Sequence, residues 1–186
     1  MPSTRTGRRD WELSLPWNVA WFYRINQARR PSLDWLYEWY YHFGKTQSLV
    51  LVIPLFGWIG GYGGLLHLGV ALVLDGVVLW ALKRHFRHQR PGRLLPRTYN
   101  MENLFGRSFP SADAGYAFTI LGVALFVMPP WGLPLFVLYA FSIGFGRIYM
   151  GSHFPLDILV GAMIGLAAAT LTGFGLAGLG SGAIAG

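Results

Sequence analysis

The sequence predicts an all-α integral membrane protein: a single bundle of five to six transmembrane helices with an N-terminal interfacial helix. Three observations lead there. Apolar residues make up 53% of the chain and charged residues only 12%, about half the usual charged share of a soluble domain, so lipid must cover surface that polar groups cannot. Five apolar stretches, 46–62, 64–82, 111–128, 132–148 and 154–173, reach or approach the ~20 residues that a membrane helix needs. The cations are segregated into residues 1–45 and 83–107, with Arg147 alone beyond them.

A chain of 186 residues suffices for one domain and hardly for two. Its expected divisions are a disordered basic N-terminus (1–10), a membrane domain (11–175) and a Gly/Ala-rich tail (176–186), frayed and without function. No cleavable signal peptide is expected, because the first thirty residues are basic, Trp-rich and lack a continuous apolar core. The absence of cysteine excludes disulfides and thiolate metal sites. The net charge of +7 would suggest nucleic acid on a soluble protein. Beside hydrophobic spans, a basic band instead meets lipid head groups or a phosphorylated substrate, so the expected partner is lipid and not nucleic acid.

Over residues 16–27, Trp17, Ala20, Trp21, Phe22 and Ile25 fall mainly on one helical face, with Arg24, Asn26 and Gln27 elsewhere. That pattern fits an interfacial anchor, continued by the aromatic belt Trp35, Tyr37, Trp39, Tyr40 and Tyr41. Short turns at Gly60-Gly61 and Pro129-Pro130 join spans, whereas 83–110 is a long polar connection. Alternating spans then put Lys83, that connection, Ser111, Arg147 and His153 at one membrane face. The other face carries no Lys or Arg.

Three groups of residues at that face carry possible chemistry. Lys83, Arg87 and Arg90 are spaced four and three apart, so a helix running past the membrane aligns them until Pro91 ends it. Three aligned cations call for an anion, and phosphate suits the Arg fork and the Lys point charge; a basic stripe attracting anionic lipid fits equally well. Pro110-Ser111-Ala112-Asp113 stands where the polar loop enters an apolar helix. Ser111 is a good N-cap at an anion-binding helix start, and Asp113 suits the helix dipole even without chemistry. His153 and Asp157, four apart at the head of the last span, are side by side on a helix, where a carboxylate would fix the imidazole tautomer. With Arg147 nearby, ionisable groups at membrane depth are functional candidates, although a buried ion pair between helices is the alternative.

Together, Lys83-x6-Arg90-Pro91, Pro110-Ser111-Ala112-Asp113 and Arg147-x5-His153-x3-Asp157 resemble the three signature blocks of the type 2 phosphatidic acid phosphatase (PAP2) superfamily. The resemblance runs from about residue 32 to 170, and the lead-in Asn26…Pro31-Ser32-Leu33-Asp34 looks like small bacterial members, including undecaprenyl diphosphate phosphatases. It implies a metal-independent membrane phosphatase without cofactor. By that resemblance His153 attacks phosphorus and forms a phosphohistidine, Asp157 orients it, and Lys83, Arg90, Ser111 and Arg147 hold phosphate oxygens, with Arg87 as a possible auxiliary. It also implies action at the outer face of a bacterial membrane, whereas the Lys and Arg distribution favours a cytoplasmic site.

Two positions depart from the family pattern. Gly146 stands where Ser usually precedes the Arg of the third block, and Ala112-Asp113 stands where the second block usually ends in Gly-His. That His is the family's general acid, a role worth about 10²–10⁴-fold. Either Asp113 is the acid, or a diphosphate substrate leaves without needing one, or the site transfers phosphate to another acceptor or only binds lipid. His85 and His88 are expected to be interfacial, too few for a metal site, and His42 and His67 have no partner. Asp75, mid-span, is expected either to pair with a cation from a neighbouring helix or to line a polar cavity. Gly161-x3-Gly165 suits close helix packing.

Overall fold

The computed structural model describes residues 11–40, 48–102 and 106–182, and its regular elements are all helical. A 3-10 turn at Trp11–Ser14 leads into α1 (Pro16–Asn26) and α2 (Pro31–Tyr40), followed by α3 (Leu49–Phe86), the single turn α4 (Pro91–Leu94), α5 (Ala112–Val127), α6 (Leu133–Tyr149) and α7 (Pro155–Gly182). Residues 1–10, expected to be disordered, and His42 lie outside the described residues.

The helices α3, α6 and α7 are long and apolar enough to cross a membrane, and α5 is a shorter apolar helix. α3 is not a single rod. Gly61 has φ 57° and ψ −153°, a left-handed conformation that glycine adopts without a Cβ penalty. There the helix folds back on itself. A Cβ at Gly57 would lie 3.3 Å from the Leu65 side chain, and one at Gly64 would lie 3.1 Å from the Phe56 carbonyl oxygen. Residues eight apart in a straight helix are about 12 Å apart, so arms 49–60 and 62–86 pack against each other. These arms match the first two apolar stretches of the sequence. Trp58 and Tyr62 at this bend, and Trp131 at the α5–α6 turn, are highly exposed. Trp17, Trp21, Trp35 and Trp39 are exposed as well.

The core is built around α5, which packs against α3, α6 and α7 and buries residues around its circumference. Small residues let its neighbours approach. A Cβ at Gly161 would lie 2.4 Å from the Ser111 carbonyl oxygen, and one at Gly165 would lie 2.3 Å from the Gly115 carbonyl oxygen. Gly161-x3-Gly165 is thus the seam that seats α7 on the first turns of α5.

In α1, Asn18, Phe22 and Asn26, spaced four apart, are buried, while Trp17 and Trp21 face outward. The burial of α1 is decided by polar bonds to the loops beneath rather than by the aromatic face. One expectation needs correction: the Gly/Ala-rich tail, expected to be frayed, continues α7 to Gly182. Gly173 explains this locally: a Cβ there would lie 2.9 Å from Phe126 and 3.0 Å from His67, so the helix is held closely as the run begins.

Gly165→Ala is expected to cost about 1–3 kcal/mol, because the atoms it meets are backbone and cannot step aside. Thermal unfolding in detergent should show a lowered midpoint, with Gly175→Ala, which meets open space, unchanged. Equal midpoints for the two variants would mean that α5 and α7 lie further apart than described.

Candidate active site

The site is built where α7 begins. Pro155, lacking an N–H, occupies the first helical position, and Asp157 reaches back from the first turn to accept the Phe154 N–H at 2.8 Å, half of a capping box. The next unsatisfied donor, Leu156 N–H, is met by Asn18 Oδ1 of α1 at 3.0 Å. Asp157 Oδ2 also accepts the Ser108 hydroxyl at 2.5 Å and faces His153 Nδ1 at 3.3 Å. Its backbone carbonyl accepts the Ser111 N–H at 3.0 Å. The second and third sequence blocks are therefore joined through one residue.

The end of α6 fixes the nucleophile candidate from the other side. Gly151, at φ 81°, turns the chain where any Cβ would lie 2.4 Å from the Tyr99 carbonyl oxygen. The Arg147 carbonyl then accepts both the Ser152 and His153 N–H groups, at 3.0 and 3.2 Å. Arg147 and His153 are thereby locked together through the backbone.

The ring contacts of His153 define its tautomer. Arg90 Nη1 lies 3.5 Å from Nε2, and a guanidinium has no acceptor to offer, so Nε2 carries the lone pair. The proton is on Nδ1, pointing at Asp157. The ring is almost wholly buried, and that burial pushes it down to about 4 against the pull of Asp157, with Arg90 and Lys83 adding to the fall. It is a neutral imidazole at ordinary pH, with its lone pair facing cations.

Those cations converge from three elements. Arg90, extended at the N-cap of α4, also donates to the Ser152 carbonyl at 3.3 Å. Lys83, near the end of α3, donates to the Arg107 and Ser108 carbonyls at 3.2 and 3.4 Å. Arg147 Nη2 lies 2.8 Å from Asp113 and 2.9 Å from Glu102, while its Nε and Nη1 have no partner among the described residues. Ser111 caps α5 by accepting the Ala114 N–H at 3.4 Å. Six predicted residues, Lys83, Arg90, Asp113, Arg147, His153 and Asp157, thus act electrostatically on one another, with Ser111 bonded to the cluster.

Arg87 does not join them. α3 ends at Phe86, and Arg87 takes a left-handed conformation with its Nε on the Arg84 carbonyl. The expected helical alignment through Arg90 stops one turn short. His88 is not interfacial but buried, with Nδ1 3.3 Å from Glu12; the same break in α3 turns it inward. His85 is exposed and His67 bonds the Ala169 carbonyl at 2.8 Å inside the bundle. Asp75 is fully buried beside Thr119 and Gly115, with no cation paired to it among the described residues. Gly146 has a packing reason: a Cβ would lie 2.4 Å from the Tyr37 ring.

Sequence reasoning missed Ser108, Glu102, Glu12, Asn18 and Asn26. Asn26 bonds Tyr99 N–H and carbonyl and the Tyr149 carbonyl, each at 2.9 Å, clamping the polar loop to the end of α6. The readable signal was the spacing Asn18, Phe22, Asn26, which places two amides on one face of an otherwise apolar helix.

Residues 64–173 match the PAP2 superfamily. The chain belongs to that family. It is 35% identical to the crystal structure of LpxE from Aquifex aeolicus, with a TM-score of 0.80 over 85% of this chain and 95% of that one. An undecaprenyl-diphosphatase of Sulfolobus acidocaldarius is 26% identical over 159 residues, 83% of this chain and 76% of the relative. The PAP2-type phosphatidylglycerolphosphate phosphatase of Bacillus subtilis shares the fold, at 21% identity and a TM-score of 0.69, over 83% of this chain and 82% of that one.

Two outcomes are expected from this geometry. The His153 ring should titrate near pH 4, read by NMR of histidine-labelled protein against His153→Ala, and stability should fall as pH drops from about 6.5 toward 4, because the unfolded chain binds a proton that the buried ring refuses. Titration at 6 or above would remove the buried neutral imidazole. Gly146→Ser should lower the unfolding midpoint, since the added atoms meet the Tyr37 ring; an unchanged midpoint would mean that Tyr37 yields.

Proposed function

We propose that His153 Nε2 attacks the phosphorus of a lipid diphosphate or monophosphate, forming an N–P bond as the P–O bond to the leaving group breaks, and that water then releases phosphate from the phosphohistidine. The protein is a membrane lipid phosphatase, a hydrolase of phosphoric ester or diphosphate bonds. The observation that carries the mechanism is the ring's orientation: Nδ1 is held by Asp157 while the Nε2 lone pair faces Arg90. Lys83, Arg90 and Arg147 meet the charge of the phosphoryl oxygens, with Ser111 at the start of α5 as a further donor. Preorganised charge of this kind does most of the work in phosphoryl transfer.

Asp113 is the candidate acid for the leaving group. In the resting site it shares Arg147 Nη2 with Glu102. Once phosphate takes this guanidinium, Asp113 is released from its ion pair and can give the leaving oxygen a proton. A diphosphate substrate needs that proton less than a monoester does, and the relative named undecaprenyl-diphosphatase supports a diphosphate. The hydrocarbon chain fits an apolar groove of about 380 Å³ lined by Trp17, Trp21, Phe145, Ile148, Pro155 and Ile158, whose residues flank Arg147 and His153. A lipid phosphotransferase would use the same site with an alcohol in place of water. By resemblance to the family the site faces outward from a bacterial membrane, against the Lys and Arg distribution.

His153→Ala should abolish phosphate release by the purified protein, and Asp113→Asn should lower kcat by about 10²–10⁴-fold on a monophosphate lipid and by less on a diphosphate. Phosphate release that survives His153→Ala would overturn the nucleophile. Substrate loss that needs an added alcohol and yields no free phosphate would establish the transferase instead.

A further inference from the structure

Behind the nucleophile lies a second buried acid that the chemistry above does not use. Glu12, in the turn ahead of α1, is 1% exposed. Its Oε2 lies 3.3 Å from His88 Nδ1, and its carboxyl comes up against that of Asp157. The position is built from several sides. His88 is enclosed by the rings of Trp11, Phe86 and Phe109, and its carbonyl accepts the Ser108 N–H at 2.9 Å. Asn18 donates to the Glu12 carbonyl at 3.3 Å while its own oxygen caps α7. Ser108 and Asn18 therefore tie Glu12 to the same elements that hold Asp157.

Two carboxyl groups in contact and away from water cannot both be ionised, since like charges at that separation are not screened. The distribution of donors says where the proton lies. Asp157 Oδ2 faces Ser108, the Phe154 N–H and His153, which favour a carboxylate there. Asp157 Oδ1 is buried and accepts no hydrogen bond among the described residues, while the Glu12 side chain acts on Asp157 from the same side. The titratable and charged groups around the pair are His88 on the Glu12 side, and the neutral His153 ring with Lys83 and Arg90 on the Asp157 side.

We propose that Glu12 is held as a neutral carboxylic acid that donates to Asp157 Oδ1, with its other oxygen beside His88, and acts as the positioning residue of the Asp157–His153 pair. Its donation spreads the charge of Asp157, so that the Nδ1 proton stays on His153 and the Nε2 lone pair stays available. It also prevents the carboxylate from rotating off the ring. The inference rests on His153 being the nucleophile.

The test compares Glu12→Gln and Glu12→Ala in the full chain in detergent. A Gln amide can donate to Asp157 and place its oxygen beside His88, so Glu12→Gln should keep kcat within roughly threefold, a fraction of one hydrogen bond. Glu12→Ala should lose about 10–100-fold in kcat, the range for outer-shell partners of oriented histidines, with KM little changed. Infrared spectra of the wild type should contain a protonated-carboxyl C=O band that Glu12→Gln removes, a readout independent of activity and of whether Glu12→Ala folds. A Gln variant as damaged as the Ala variant, or no band lost on Glu12→Gln, would overturn the proposal. Failure of the underlying reading is distinguishable, because it appears as phosphate release by His153→Ala.

Discussion

A carboxylate buried at the edge of a membrane bundle has to be surrounded by donors, because desolvated charge is costly and each missing bond adds to that cost. Asp157 is such a group, and the segments that satisfy it are the parts of the site. Phe154 N–H comes from the start of α7, Ser108 from the polar loop, and His153 from the turn after α6. The Asp157 carbonyl fastens the first residue of the second sequence block through Ser111 N–H. These bonds reach only because Gly161 and Gly165 let α7 lie against the backbone of α5. Packing and chemistry are one arrangement here: moving α7 outward by an added methyl group would stretch the bonds that orient His153.

The N-terminal region takes part in this arrangement rather than merely anchoring it. Its Trp residues face outward, as an interfacial helix requires, but its amides face the loops. Asn26 clamps Tyr99 to Tyr149, and Asn18 links Glu12 to the first turn of α7. Arg29 extends the clamp, donating to the Tyr149 carbonyl at 3.2 Å and pairing with Asp34 at 2.5 Å. The short helix α1 thereby stiffens loops that could not build a core of their own.

Much of this was legible in the sequence, and the reason is the membrane. Lys83, Arg90, Arg147, His153 and Asp157 stand at the ends of apolar spans, where an ionised side chain without a purpose is costly, and their order along alternating spans places them at one face. The fold class was legible for the same reason, since so little charge leaves no soluble alternative. Arg87 failed because periodicity assumes that a helix continues, and α3 stops at Phe86. Glu12, Glu102 and Ser108 were not legible. Each owes its role to contacts across many residues of sequence, and a lone polar residue in a polar segment carries no pattern. Asn18 and Asn26 lay between these cases: their spacing puts both on one helical face, but Asn26 was placed only off the aromatic face and Asn18 was not singled out.

The exchange of His for Asp in the second block can be understood from the resting charges. Lys83, Arg90 and Arg147 repel one another, and in the absence of substrate something must offset them. Asp113 and Glu102 do so by pairing with the same nitrogen of Arg147, a task that a neutral imidazole could not perform. On the proposed mechanism, phosphate entry is an exchange of anions: the guanidinium would pass from carboxylate to phosphate, and Asp113, released from Arg147, would stand as the proposed acid for the leaving group. The residue that departs from the family pattern is thus the one whose charge offsets Arg147 in this structure.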